Sequence, residues 1–210
     1  MFYFVRNKVF YKSYMTSTID YYDKNAWEYS QNTVCVDFSA TQERFVRYMP
    51  PHAKILDFGC GSGRDTKYFL EKGYDVDAVD GSREFCRLAS AYTGIAVRQM
   101  LFQDLAVTNE YDGIWACASI LHLHWDDLIS VLHKMAAALK DTGVIYTSFK
   151  YGTFSGERQG RYFTDFNEDR LTETLTLVPE LQCREFWISS DVRPNRGDEK
   201  WLNIILSRKV

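Results

Sequence analysis

The chain has 210 residues and a mass of 24.5 kDa, the size of one domain with appendages. Hydrophobic residues at 46% and charged residues at 25% are ordinary globular values and exclude global disorder, collagen and coiled coil. The 25 Lys and Arg against 28 Asp and Glu leave a net charge of −3, which argues against a bulk electrostatic grip on nucleic acid. No apolar run approaches the ~20 residues of a membrane helix, so no membrane association is expected. The five cysteines are odd in number and form no CxxC pair, so neither a disulfide scaffold nor a metal site is expected. A reducing cytoplasm is the expected compartment.

Residues 1–19 read as an N-terminal extension, possible disorder included, and Met15 is as good a start as Met1. They lack the apolar core and cleavage site of a secretory leader. Residues 20–50 read as a helical lid, with helices over Tyr21–Ser30 and Thr41–Tyr48, closed by Pro50-Pro51. Residues 51–210 form the main domain. Lys54–Phe58 is a short apolar run ending in glycines and reads as a strand. Arg64–Lys72 follows as a helix stopped by Gly73. Tyr74–Asp80 is the second strand, and Ser82–Ala91 a helix capped by Ser82. Ala96–Phe102 and Tyr111–Ser119 are the third and fourth strands. Asp126–Lys140 is an amphipathic helix capped by Asp126, with Leu128, Val131, Leu132, Met135 and Leu139 on one face. Asp141-Thr142-Gly143 turns the chain into a fifth strand, Val144–Phe149. Alternation of this kind predicts an α/β, doubly wound parallel sheet with helices on both faces. The tail differs. A helix over Glu168–Leu175 precedes strands Arg184–Ser190 and Lys200–Ser207, which read as an antiparallel hairpin closing the sheet edge.

Three features carry the chemistry. Ile55–Gly63 runs from a strand into a glycine-rich turn and a helix, letting backbone N–H groups approach a ligand without Cβ obstruction. Its glycines stand at 59, 61 and 63, and Arg64 occupies the place of the third glycine of a dinucleotide fingerprint, which counts against a nicotinamide oxidoreductase. Asp80, at the end of the second strand, is placed to accept from ribose hydroxyls. Asp104, in Gln103-Asp104-Leu105 after the third strand, is placed to accept from an exocyclic amine.

These motifs resemble the class I S-adenosylmethionine-dependent methyltransferases. ILDFGCGSG resembles that family's first motif, VDAVDGS its second, QDL its third and YDGIWACASILHL its fourth. Tyr22-Asp23-Lys24-Asn25-Ala26 … Tyr29 resembles the N-terminal cover of the small-molecule branch, tellurite-resistance-type enzymes included. The resemblance implies a Rossmann-like, seven-stranded, mostly parallel sheet with one reversed strand near the C-terminus. It implies S-adenosyl-L-methionine held by Asp57, Gly59, Cys60, Gly61 and Arg64 of the first motif and by Asp80, Gly81 and Ser82 of the second. Asp104 and Leu105 would meet the adenine, Ala118 the ammonium, and Tyr22 and Tyr29 would cover the sulfonium. Arg64 is suited to the cofactor carboxylate. His122 and His124 stand where a base would be needed if the nucleophile must lose a proton. Arg161, Tyr162 and Arg193, with Arg158 and Arg196 nearby, would favour an anionic or carboxylate acceptor at the pocket rim. The segment Ala118-Ser119-Ile120-Leu121 is not the tetrapeptide of adenine-N6 enzymes, and no Cys follows a Pro as in cytosine-C5 enzymes. A small-molecule acceptor is therefore expected, with an RNA or protein methyltransferase acting through a partner as the alternative.

Overall fold

In the computed structural model, the structure describes residues 3–209, with side chains described from Thr18 onward. Helix α1 (Tyr3–Thr33) is followed by α2 (Ser39–Val46). Then come β1 (Lys54–Phe58), α3 (Arg64–Glu71), β2 (Asp75–Asp80), α4 (Arg83–Thr93), β3 (Arg98–Gln99) and β4 (Tyr111–Ala116). Helix α5 (Trp125–Ala138) leads into β5 (Leu139–Lys150), a hairpin of β6 (Ser155–Arg158) and β7 (Arg161–Thr164), α6 (Glu168–Leu177), β8 (Leu181–Ser190) and β9 (Lys200–Arg208).

The seven-stranded sheet has the order β3-β2-β1-β4-β5-β9-β8. Strands β3 to β5 pair in parallel, and β9 runs antiparallel to both β5 and β8. It is the Rossmann-like sheet with one reversed strand. The chain winds outward from β1 through β2 to β3, then returns to place β4 on the other side of β1. That reversal opens a crevice at the carboxyl ends of β1 and β4, where open α/β sheets bind ligands.

Period-two alternation divides the core. Leu56, Phe58, Ile114 and Ile145 pack with Leu128, Leu132 and Met135 of α5. Ile55, Trp115, Tyr146 and Ile205 pack with Phe45 of α2 and Phe69 of α3. Trp115 and Tyr146 stack at 4.0 Å between centroids. Both are fully buried, contributing large apolar area beneath the site.

Helix α1 spans Tyr3–Thr33, across residue 19. Three local expectations are corrected. The third strand shrinks to Arg98–Gln99; it is an edge strand, and Phe102–Asp104 turns into a 3-10 helix. Helix α5 starts at Trp125 with His124 at the N-cap, so Asp126 lies in the first turn, where its charge suits the helix dipole. The turn expected at Asp141-Thr142-Gly143 is absorbed into β5 as an irregularity in its pairing with β4. Among the described residues no helix is long and apolar enough to cross a membrane.

Candidate functional site

The glycine turn after β1 is shaped by close approach. Gly59 has φ +89°, and a Cβ there would lie 2.5 Å from the Cβ of Ser119. Ser119 in turn donates from Oγ to the Phe58 carbonyl at 2.7 Å, tying the tips of β1 and β4 together. Gly61 has φ +53° with open space where a side chain would stand. Gly63, also left-handed, is the N-cap of α3. The turn therefore presents bare backbone and a helix start to the crevice.

Asp80 organises the next strand tip. Its Oδ2 accepts from the Gly61 N–H at 2.9 Å and its Oδ1 from the Ser82 N–H at 2.8 Å. Each oxygen keeps a lone pair for another donor. Burial pushes this carboxyl up to about 6, against the pull of the Ser82 and Gly61 N–H groups. Ser82 caps α4 by accepting from Phe85 N–H and donates to Asp23 Oδ1 at 2.5 Å. Thr33 donates to Ser62 at 3.2 Å. These bonds tie helix α1 to the glycine turn and to the start of α4, with Tyr22 and Tyr29 on the underside, 5.5 Å apart edge to face and both against Phe85.

The resulting cavity has two chambers. The first is lined by the glycine turn, Arg64, Asp80, Gly81, Ser82, Tyr22, Tyr29 and Ala118, with Ile19, Met100, Leu101 and Phe102 forming an apolar slot. The second extends toward β7 and the β8–β9 loop, lined by Leu121, Lys150, Arg158, Arg161, Phe163 and others. Tyr22, Tyr29, Ala118, His122, Arg193 and Trp201 belong to both walls.

Ten of the thirteen residues expected to hold the cofactor line the first chamber; Asp57, Asp104 and Leu105 do not. Asp57 lies behind the glycine turn, accepting from Thr66 Oγ1 at 2.5 Å. Burial, reinforced by the neighbouring Asp65, pushes its carboxyl up to about 8. Asp104 is exposed at the end of the 3-10 turn, and Leu105 is buried in the core. The shortened third strand puts Leu101 and Phe102 in their place. Arg64 spends two of its nitrogens on Asp65, at 2.8 Å each, and stacks on Phe38. Asp65 also accepts from Trp115 Nε1 and Gln42 Nε2, at 2.8 and 2.6 Å, so this buried ion pair is held from several sides. Ala118 adopts φ +49°, a left-handed conformation costly for a residue with a Cβ, and its N–H donates to Ser148 Oγ.

The two histidines separate. His122 Nδ1 lies 2.6 Å from the Tyr162 carbonyl, which can only accept, so the ring proton sits there. Nε2 then accepts from the Tyr22 hydroxyl at 2.7 Å. Burial lowers His122 to about 4, so the ring is neutral at physiological pH. Burial, with Tyr29 adding to it, pushes the Tyr22 hydroxyl far above its ordinary range. His124 instead occupies the N-cap position of α5 without a side-chain cap bond and stacks on the Tyr162 ring at 3.7 Å, outside both chambers. Tyr162 therefore contributes its carbonyl to His122 rather than its ring to the cavity.

Reading the sequence missed Asp23, Ser148 and the slot residues Ile19, Met100 and Leu101. Spacing alone does not reveal them, because each arrives through α1 packing or through loop conformation.

Residues 55–143 match a family described as "Methyltransferase domain". The chain is 30% identical over 171 residues to a carboxy-S-adenosyl-L-methionine synthase of Vibrio cholerae, spanning 73% of this chain and 65% of that one. It thus spans somewhat less than two thirds of that relative's length. Among solved structures it resembles 1,6-didemethyltoxoflavin-N1-methyltransferase of Burkholderia thailandensis, solved with 1,6-didemethyltoxoflavin and S-adenosylhomocysteine. The TM-score is 0.76 at 22% identity, covering 95% of this chain and 91% of that one. A TehB-like methyltransferase of Corynebacterium glutamicum has a TM-score of 0.67 at 20% identity, covering 90% of this chain and 100% of that one.

Proposed function

We propose, for a chain that belongs to the class I S-adenosylmethionine-dependent methyltransferase family, that it transfers a methyl group from S-adenosyl-L-methionine to a small-molecule acceptor. The observation that carries this reading is the pair of abutting chambers that share six wall residues. The residues of one chamber suit a nucleoside ending in an amino acid, and the other offers room for an acceptor beside it.

The residues suit that cofactor. Bare backbone at Gly59 and Gly61 leaves room for the methionine end. The remaining acceptor capacity of Asp80 suits a ribose diol, and the slot of Leu101 and Phe102 suits a flat base. Arg64 lines the same chamber, and its guanidinium suits a carboxylate. When bound, the cofactor supplies a methyl activated on a sulfonium sulfur; the protein supplies alignment and exclusion of water. Helix α1 covers the crevice, and the π faces of Tyr22 and Tyr29 suit a cation beneath them.

His122 is the histidine positioned to serve this reaction, and it acts through Tyr22. A proton leaving the acceptor can pass to the Tyr22 oxygen while that hydroxyl's own proton passes to His122 Nε2. His124 lies outside the cavity, at the N-cap position of α5 with its ring stacked on Tyr162. Arg193, in both walls, is committed to Asp191 through two hydrogen bonds of 2.9 and 2.5 Å and positions the rim rather than carrying free charge.

Incubation with methyl-labelled S-adenosylmethionine and a fractionated metabolite extract tests this reading. Label is expected in one small molecule, with S-adenosylhomocysteine formed in equal amount. Label confined to RNA or protein would overturn the small-molecule assignment.

A further inference from the structure

The second chamber is walled by six basic and three acidic side chains. Most of that positive charge is already answered. Arg158 meets Asp165 in a two-point pair at 3.1 and 2.6 Å. Arg193 meets Asp191 in the same way. Arg196 lies 3.5 Å from Glu199, and Lys150 pairs with the same carboxylate.

Among the described residues two of the six have no carboxylate: the exposed Lys200, which donates to Ser190 Oγ at 2.7 Å, and Arg161. The Arg161 guanidinium is held by ring faces, 4.4 Å from the centre of Tyr21 and 5.3 Å from Phe163. Among the described residues its hydrogen bonds are long ones, from Nη1 to the Tyr22 hydroxyl and from Nη2 to Gln159 Oε1, both 3.4 Å. Its Nε–H is buried with no acceptor. A planar cationic fork held by stacking and short of acceptors is arranged for a planar oxyanion. It also stands beside the Tyr22–His122 pair, two residues that line both chambers.

We propose that Arg161 is the specificity-determining residue of the acceptor site and that the acceptor carries a carboxylate, which docks on this guanidinium. The proposal rests on the reading of the second chamber as the acceptor site. It narrows the anionic rim expected from Arg158, Arg161, Arg193 and Arg196 to one residue. The carboxylate supplies the acceptor atoms that Arg161 lacks, and its fixed distance from Tyr22 orients the rest of the molecule toward the first chamber.

The test is a side-chain NMR titration of the full chain saturated with S-adenosylhomocysteine. The buried Nε–H of Arg161, assigned by its disappearance in Arg161→Lys, is followed as benzoate is added, with benzamide as the uncharged match. A saturable shift with benzoate and none with benzamide is expected. Arg161→Gln should weaken benzoate at least tenfold while S-adenosylhomocysteine affinity, measured by calorimetry, stays within threefold. Equal responses to both probes, no response to benzoate, or unchanged benzoate affinity in Arg161→Gln would overturn the proposal. Calorimetry on the unmodified protein reads the cofactor site separately, so loss of S-adenosylhomocysteine binding there would instead overturn the functional reading itself.

Discussion

Replacing Asp80 with Asn separates charge from shape at the ribose position. The wild-type carboxylate accepts from Gly61 N–H and Ser82 N–H, at 2.9 and 2.8 Å. Asparagine keeps the size but turns one oxygen into an NH2 group, which must face a backbone N–H or the ligand diol with no lone pair. Hydrogen bonds to charged groups contribute about 1.5–3 kcal/mol, so S-adenosylhomocysteine affinity should fall roughly 10- to 100-fold by calorimetry at pH 7.5. The pH dependence gives a second readout. Burial raises the Asp80 carboxyl to about 6 in the free protein. The ionised form accepts from the diol, and the protonated form loses one acceptor. Wild-type affinity should therefore hold above pH 6 and decline as the pH falls below it, by up to about tenfold per unit. Asp80→Asn should show no such decline. Unchanged affinity in the variant, or the same acid limb in both proteins, would refute the assigned role.

Three other outcomes follow from the same geometry. Gly59→Ala places a Cβ 2.5 Å from that of Ser119 at φ +89° and should cost about 1–3 kcal/mol or more in chemical denaturation; an unchanged midpoint would contradict the close packing of the two strand tips. Tyr22→Phe removes the hydroxyl donated to His122 Nε2, a bond that favours the neutral ring. The His122 pKa, followed by NMR, should rise from about 4, with S-adenosylhomocysteine affinity largely kept; a fixed or lowered value would show that Nε2 is not the acceptor. Asp65→Ala strands the buried Arg64 guanidinium and two neutral donors, Trp115 Nε1 and Gln42 Nε2. A loss on the order of 3–5 kcal/mol is expected in urea unfolding, and a loss below 1 kcal/mol would show that water replaces the carboxylate.

Elements whose pattern is local were legible before any coordinates. Lys54–Phe58 is a strand to the residue, and Ser82 is the N-cap it was expected to be. The glycine turn and Asp80 meet in one cleft through a direct hydrogen bond. What stayed hidden depends on partners far away in the chain. The β6–β7 hairpin turns at Gln159-Gly160, both with positive φ, and Gln-Gly lacks the strong turn signal of Asn-Gly or Asp-Gly. The 3-10 turn at Phe102–Asp104, which follows an edge strand of two residues, leaves Asp104 exposed. The roles of His122 and His124 could not be told apart from their spacing of two. Only the Tyr162 carbonyl and the Tyr22 hydroxyl, brought in by β7 and α1, decide between them.

A crystal structure of the complex with S-adenosylhomocysteine tests the account most directly. The ribose should lie on Asp80, the base against Leu101 and Phe102, the amino-acid end over Gly59 and Gly61, and the sulfur toward Tyr22 and the second chamber. A ligand bound elsewhere, or one whose sulfur faces away from the wall shared by the two chambers, would contradict it.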